Sequence, residues 1–164
     1  GSFLCMWSSL AFKMNQAPFY AGNDVVGLLG LCGIAGALTA SGIGKYIHRV
    51  GVRHFNYWGV LLHLSAWMLF FFGANHYFPI VVGIVVMDIG MQCIQLSNQS
   101  LCLGLEPQAS NRANTIFMTT YFVGGTMGTF LSGLGWGIAG WTGVSVVGVL
   151  LTLFSGLVTL VQKN

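Results

Sequence analysis

Residues 79–103 read PIVVGIVVMDIGMQCIQLSNQSLCL, and the meaning of that stretch decides the fold. From Phe78 to Met87 the chain is almost purely apolar; then Asp88, Gln92, Gln95 and Gln99 follow at steps of four, three and four residues. That spacing holds all four side chains on one narrow stripe of an α-helix. A carboxylate and three carboxamides inside a segment apolar enough to enter a bilayer are costly unless something polar faces them. A turn is expected at Leu105–Asn111, with Glu106, Pro107 and Arg112 at its edges, and Ala113 to Trp136 is apolar again and rich in Thr and Gly. The pattern is that of a polytopic membrane protein with a polar line built into one helix.

Composition points the same way. Of 164 residues, 55% are hydrophobic and 5% charged, and the mean hydropathy is +0.77. A soluble domain carries about 25% charged residues, so lipid must be the solvent for most of this surface. A formal charge of +3 is too small to argue for nucleic acid. Cys5, Cys32, Cys93 and Cys102 sit singly in apolar runs, without the close spacing of metal ligands or of a disulfide frame. They read as small packing residues, and no cofactor or metal is implied.

Six spans are expected. The first ends near Lys13–Met14 and is apolar for only about a dozen residues, roughly 18 Å of helix against a hydrocarbon core of roughly 30 Å. The chain therefore reads as a fragment whose first span lacks its beginning, or as one whose Gly1-Ser2 opening is a cloning remnant. Asn15 to Asn23 reads as a loop. The second span runs from about Asp24 to Gly44, with Gly27, Gly30, Gly33 and Gly36 forming a flat ridge of the kind that lets another backbone come close. Lys45 to His54 is the basic cluster, read as a loop. Phe55 to Ala74 is the third span and Pro79 to Leu103 the fourth. The fifth runs from about Arg112 to Ile138, and Gly140-Trp141-Thr142 turns it into the sixth, about Gly143 to Val161. A polar tail, Gln162-Lys163-Asn164, closes the chain.

Placing the Lys45–Arg53 stretch in the cytoplasm puts Lys45, Arg49, Arg53, Arg112 and Lys163 inside and only Lys13 outside, which satisfies the positive-inside rule. Both ends are then cytoplasmic. Asp88 lies about 14 Å along its span, near mid-bilayer, with the glutamines continuing toward the cytoplasm. An ionisable group at that depth is either a functional site or an interhelix bond to a neighbouring hydroxyl; the carboxamides on its stripe favour a polar path. His63 reaches a similar depth but, among Leu61, Leu62, Leu64 and Trp67, reads as a packing histidine. On the fifth span Asn114, Met118, Tyr121 and Gly125 form a second stripe, and its many glycines read as close-packing positions that also permit bending.

Several of these residues carry a family likeness. Gly44-Lys45-Tyr46-Ile47-His48-Arg49-Val50-Gly51-Val52-Arg53 resembles the glycine-x-x-x-aspartate-arginine-x-glycine-arginine/lysine loop of the major facilitator superfamily. His48 stands where that family has aspartate, and Val52 displaces the last basic residue to Arg53. Asp88 with Gly90 and Gln92, Ser97-Asn98-Gln99, Pro107, Arg112 with Asn114, and Tyr121 with Gly124-Gly125 resemble the tenth and eleventh helices of bacterial efflux permeases of that superfamily.

The resemblance covers essentially the whole chain and implies an all-α membrane protein. Residues 1–164 would form the C-terminal six-helix bundle of a twelve-helix transporter, with the N-terminal six-helix bundle of the same polypeptide as its partner. It implies a multi-pass protein of the cell inner membrane that moves a small organic solute, with protons as the coupling species. It further implies that Trp7, Asp88, Gln92 and Gln95 point to a central cavity, with Asn114 and Tyr121 nearby. Asp88 would be the cation- or proton-binding group and the glutamines would be specificity groups. Gly44, His48, Arg49, Gly51 and Arg53 would form the cytoplasmic loop motif. The competing function is a membrane-embedded structural or assembly subunit. An enzyme is a distant third, since no nucleophile–base pair, metal-ligand spacing or phosphate loop stands out.

Overall fold

The computed structural model describes residues 1–105 and 107–161, without the side chains of His48 and Pro107. Glu106, Gln162, Lys163 and Asn164, and with them the acidic edge of the fourth turn and the basic tail, lie outside the described residues. Among the described residues all regular structure is helical. It comprises α1 (Ser2–Met14), α2 (Asn23–Leu29), a 3-10 turn at Gly30–Cys32, α3 (Gly33–Val50), α4 (Val52–Phe72), α5 (Tyr77–Leu105), a 3-10 turn at Pro107–Ala109, and α6 (Ser110–Val161). Four stretches, Asn23–Ile47, Val52–Phe72, Tyr77–Leu105 and Ser110–Val161, are long and apolar enough to cross a membrane. Their outward faces carry large apolar side chains such as Leu38, Trp58, Phe72, Phe78, Phe122 and Ile138. That is the inverse of a soluble protein and the arrangement of an α-helical membrane protein.

The basic stretch expected as a loop is mostly helix. Nothing between Gly44 and Val50 breaks the i→i−4 ladder, so α3 carries Lys45 and Arg49 through its last turns, where cations suit the helix C-terminus. The interruption is Gly51 alone, with φ 88° and ψ 147°, a conformation open almost only to glycine. Arg53 already belongs to the first turn of α4, where its Nε donates to the Tyr57 hydroxyl at 3.0 Å. Replacing Gly51 with Ala is expected to cost about 1–2 kcal/mol, read as a lowered melting midpoint of the detergent-solubilised protein.

The 52 residues of α6 are not one rod. Ala139 (φ −142°, ψ 21°) and Gly140 (φ 56°, ψ −138°) leave helical dihedrals and divide it into arms 110–138 and 141–161. The turn thus sits one or two residues earlier than Gly140-Trp141-Thr142, and Trp141 is already helical. The arms lie close: a Cβ added to Gly135 would stand 2.8 Å from the Gly143 carbonyl oxygen.

A buried aromatic row ties α4 to the second arm of α6. Trp67 and Phe70 meet edge-on at 5.6 Å, and Phe70 meets Trp141 edge-on at 6.1 Å. Each indole needs a hydrogen-bond acceptor when buried. Trp141 Nε1 donates to the Phe70 carbonyl at 2.9 Å, and Trp67 Nε1 donates to Ser2 Oγ at 2.8 Å. Met6, Leu10, Ile84, Met87 and Val144 complete the core around this row. At one end of the bundle Lys13 Nζ reaches Asn75 Oδ1 at 3.5 Å, Phe19 packs on Tyr77 and Phe12 on Trp136. Lys45, Arg49, Arg53 and Arg112 belong to the opposite end, at the α3–α4 junction and the start of α6.

Candidate functional site

The polar residues of α5 share one helical stripe but do not share one neighbour. Asp88 is 6% exposed and packs beneath α3. A Cβ on Gly36 would stand 3.3 Å from Asp88 Cβ and 3.5 Å from its carbonyl oxygen, and one on Gly33 would stand 3.8 Å from Oδ2. These two glycines are the part of the α2–α3 ridge that admits a neighbouring backbone; Gly27 and Gly30 meet nothing within 4 Å. Asp88 Oδ2 is buried and has no hydrogen-bond partner among the described residues. Buried carboxylate oxygens are normally satisfied, so this one marks a place where the packed state does not complete the side chain's chemistry.

One turn on, Gln92 is half-buried. Gln95 faces a cavity of about 490 Å³ between α5, the first turn of α1 and both arms of α6. Gln99 Nε2 donates to Asn114 Oδ1 at 2.8 Å, binding α5 to the first arm of α6. Tyr121 is on the cavity wall with Gln95. Trp7 is not; it is half-buried and meets Phe3 edge-on at 6.4 Å. Of the residues expected around one site, the cavity brings together Gln95 and Tyr121. Asp88 is placed against α3, Asn114 against Gln99, and Trp7 in the apolar packing of α1. In the basic motif Gly44 and Arg49 are exposed on α3, Gly51 forms the junction, Arg53 stacks on Tyr57, and the His48 side chain lies outside the description.

Two features went unread in the sequence. The first is an amide pair, with Asn56 buried and Asn98 half-buried. Asn98 Nδ2 donates to Asn56 Oδ1 at 2.8 Å, Asn56 Nδ2 donates back to Asn98 Oδ1 at 3.1 Å, and Ser97 Oγ donates to Asn56 Oδ1 at 2.9 Å. Asn56, a single carboxamide in the early turns of an apolar span, was the available signal. Asn56→Ala is expected to cost about 1–2 kcal/mol by stranding Asn98 and Ser97, measurable as a lower denaturation midpoint in mixed micelles. The second is the place of His63 on the cavity wall; it packs, as expected, and also borders the cavity. It is 3% exposed and its Nδ1 lies 3.1 Å from the Gly59 carbonyl. That bond makes Nδ1 the protonated nitrogen and leaves Nε2 as the acceptor.

No group of three or more His, Cys, Asp or Glu side chains gathers at metal-binding distance among the described residues. Among the described residues the cavity wall carries no Asp, Glu, Lys or Arg side chain. Among the described residues the arrangement offers a desolvated acid at one helix seam and neutral hydrogen-bonding groups around the cavity.

No family model matches the chain, and no solved structure matches it. It is 35% identical over 157 residues to the putative uncharacterized transporter YgaY of Escherichia coli, an alignment that takes in 96% of this chain and 40% of that protein. It is 28% identical over 155 residues to a probable transporter of Streptomyces coelicolor, with 93% of this chain and 36% of that protein aligned. An uncharacterized transporter of Buchnera aphidicola is 24% identical over 165 residues, with 39% of its length aligned. The chain thus spans about two fifths of the length of the curated relatives it matches, and those relatives carry the name of transporter.

Proposed function

We propose that this chain is the C-terminal six-helix bundle of a secondary active transporter of the major facilitator type. In this proposal it works with an N-terminal bundle of the same polypeptide to export a small organic solute in exchange for protons. The six spans are α1, α2 with α3, α4, α5 and the two arms of α6. Both ends lie in the cytoplasm, since Lys45, Arg49, Arg53 and Arg112 then face inward, as the positive-inside rule requires. Transport, not catalysis, is the activity.

The observation that carries the proposal is the Asp88 carboxyl, buried beneath Gly33 and Gly36 with Oδ2 unpartnered. A charged carboxylate at the centre of a spanning helix costs about 2.5–3.5 kcal/mol on insertion scales. It needs a proton, a cation or water to compensate it, and a shift of α3 off α5 would open the Oδ2 side of Asp88 to each of these. A bundle that rocks between two arrangements supplies such a shift, and the 3-10 interruption at Gly30–Cys32, just ahead of the covering glycines, is a place for α3 to bend. Binding at Asp88 and movement of α3 are then linked.

The deciding experiment is flux through the longer protein in proteoliposomes, across a panel of small organic solutes, with and without an imposed pH gradient. Solute movement that follows the gradient and collapses when it is dissipated is the expected result. Indifference to the gradient for every transported solute overturns proton coupling. The second reading, a structural subunit, is favoured by one observation: Asn98 and Gln99 are already engaged with α4 and α6. It predicts no flux for any solute.

A further inference from the structure

The outward face of α4 is a continuous stripe. His54, Trp58, Leu61, Ser65, Met68 and Phe72 are all exposed, at steps of four, three, four, three and four residues, the period of one helix face. The apolar side chains on it are all large. A face that packs on another membrane helix is enriched in small residues or offers polar groups across the seam, and this one does neither. Its hydroxyl is satisfied within the helix, since Ser65 Oγ donates to the Leu61 carbonyl at 2.9 Å. Trp58 to Met68 covers about 15 Å, the hydrocarbon depth of one leaflet. Such a stripe suits an acyl chain.

At the junction end the stripe runs into cations. Arg53 precedes His54 on α4, and Lys45 and Arg49 are exposed on the last turns of α3, across Gly51. Tyr57 holds the Arg53 side chain: Nε donates to its hydroxyl at 3.0 Å, and Cζ lies 5.6 Å from the ring centre. Among the described residues no acceptor meets the terminal nitrogens of Arg53, which keep the planar fork that suits a phosphate. Nor can the chain neutralise this end. Of its three acids, Asp24 lies in the first turn of α2, at the Lys13 end, and Asp88 is buried along α5. Glu106 is the one acid left to balance Lys45, Arg49, Arg53 and Arg112.

We infer that the α3–α4 junction is a binding site for an anionic phospholipid. Arg49 and Arg53 hold its phosphate, and an acyl chain follows Leu61 and Met68 along α4. Trp58 lies at the level of the headgroup, where an amphipathic ring is favoured. The charges are complementary, since each basic residue beside a membrane surface strengthens the attraction to anionic lipid. The inference stands on the outward face of α4 and on the charge count. It is independent of what Asp88 binds and of whether a solute moves.

Site-resolved quenching in the longer protein tests it. The native cysteines are replaced, Leu61→Cys carries a bimane fluorophore, and the protein is reconstituted in phosphatidylcholine bilayers. Phosphatidylglycerol or phosphatidylcholine bearing a nitroxide on its acyl chain is then titrated in. Phosphatidylglycerol is expected to quench at a several-fold lower mole fraction, and Arg49→Gln with Arg53→Gln to erase that preference, each arginine contributing about fivefold. Equal quenching by the two lipids overturns the inference. So does a preference that survives the double substitution. Absence of quenching by either lipid overturns it as well, being the result for a face covered by another part of the protein. Leu150→Cys, exposed on the second arm of α6, is the control; the same preference there would mean diffuse attraction and no site. Should the double variant fail to reach the membrane, Arg49→Gln alone decides: a roughly fivefold weaker preference is expected, and an unchanged one overturns the assignment.

Discussion

Asp88→Asn in the longer protein is expected to abolish gradient-driven solute flux, down to the level of empty liposomes, while the variant still inserts and folds. Asparagine matches aspartate in size, so the close fit under Gly36, with Cβ atoms that would be 3.3 Å apart, is kept. What is lost is the ability to gain and lose a charge. Folding is expected to be unharmed, because Oδ2 makes no hydrogen bond that the substitution would break. The separation of the two readouts matters: reduced membrane abundance with proportionate flux would mean a packing role alone. Flux at the wild-type level, still coupled to the gradient, would remove Asp88 from the mechanism.

The second large effect is expected from Gly59→Leu. Gly59 of α4 faces Gly90 of α5 where the two backbones come close. A Cβ on Gly59 would be 2.8 Å from the Gly90 carbonyl oxygen and would also run into the Ile94 side chain; a Cβ on Gly90 would be 3.0 Å from the Gly59 carbonyl oxygen. A backbone oxygen cannot rotate out of the way. Leucine there must force the helices apart, opening the Asn56–Asn98 pair that lies farther along the same seam. A loss of about 3 kcal/mol is expected, the upper end for overpacking because backbone oxygens cannot yield, seen as a lower unfolding midpoint in detergent. Gly137→Leu is the matched control. Gly137 is exposed on the first arm of α6 with nothing within 4 Å, so its replacement is expected to change stability by no more than about 1 kcal/mol, with helix propensity favouring the variant. Equal effects at the two positions would refute the packing account.

These two glycines show how the sequence was informative and where it stopped. Both sit in apolar runs, and composition gives no reason to rank one above the other. The ridge of Gly27, Gly30, Gly33 and Gly36 has the periodicity of a packing face, yet the last two alone meet α5. Periodicity describes a helix surface; it does not say how far along that surface a neighbour stays in contact. Likewise the basic stretch after Gly44 has the charge of a loop but the propensities of a helix, and only Gly51 carries dihedrals that a helix cannot. Asn56 is a single carboxamide in an apolar span, and nothing local in the sequence points to its partner 42 residues away.

The sequence by itself determined that lipid surrounds this protein, that α5 bears a polar stripe, and where most of its apolar helices begin and end to within a few residues, the far end of α3 at Val50 excepted. Those properties are local: they follow from transfer free energies, helix period and the dihedral limits of single residues. Only the tertiary structure decided what the stripe touches. Helices in a bundle cross at an angle, so a straight line of side chains along the 29 residues of α5 passes from one neighbour to the next. Asp88 consequently meets the glycines of α3, Gln95 the cavity, and Gln99 the first arm of α6.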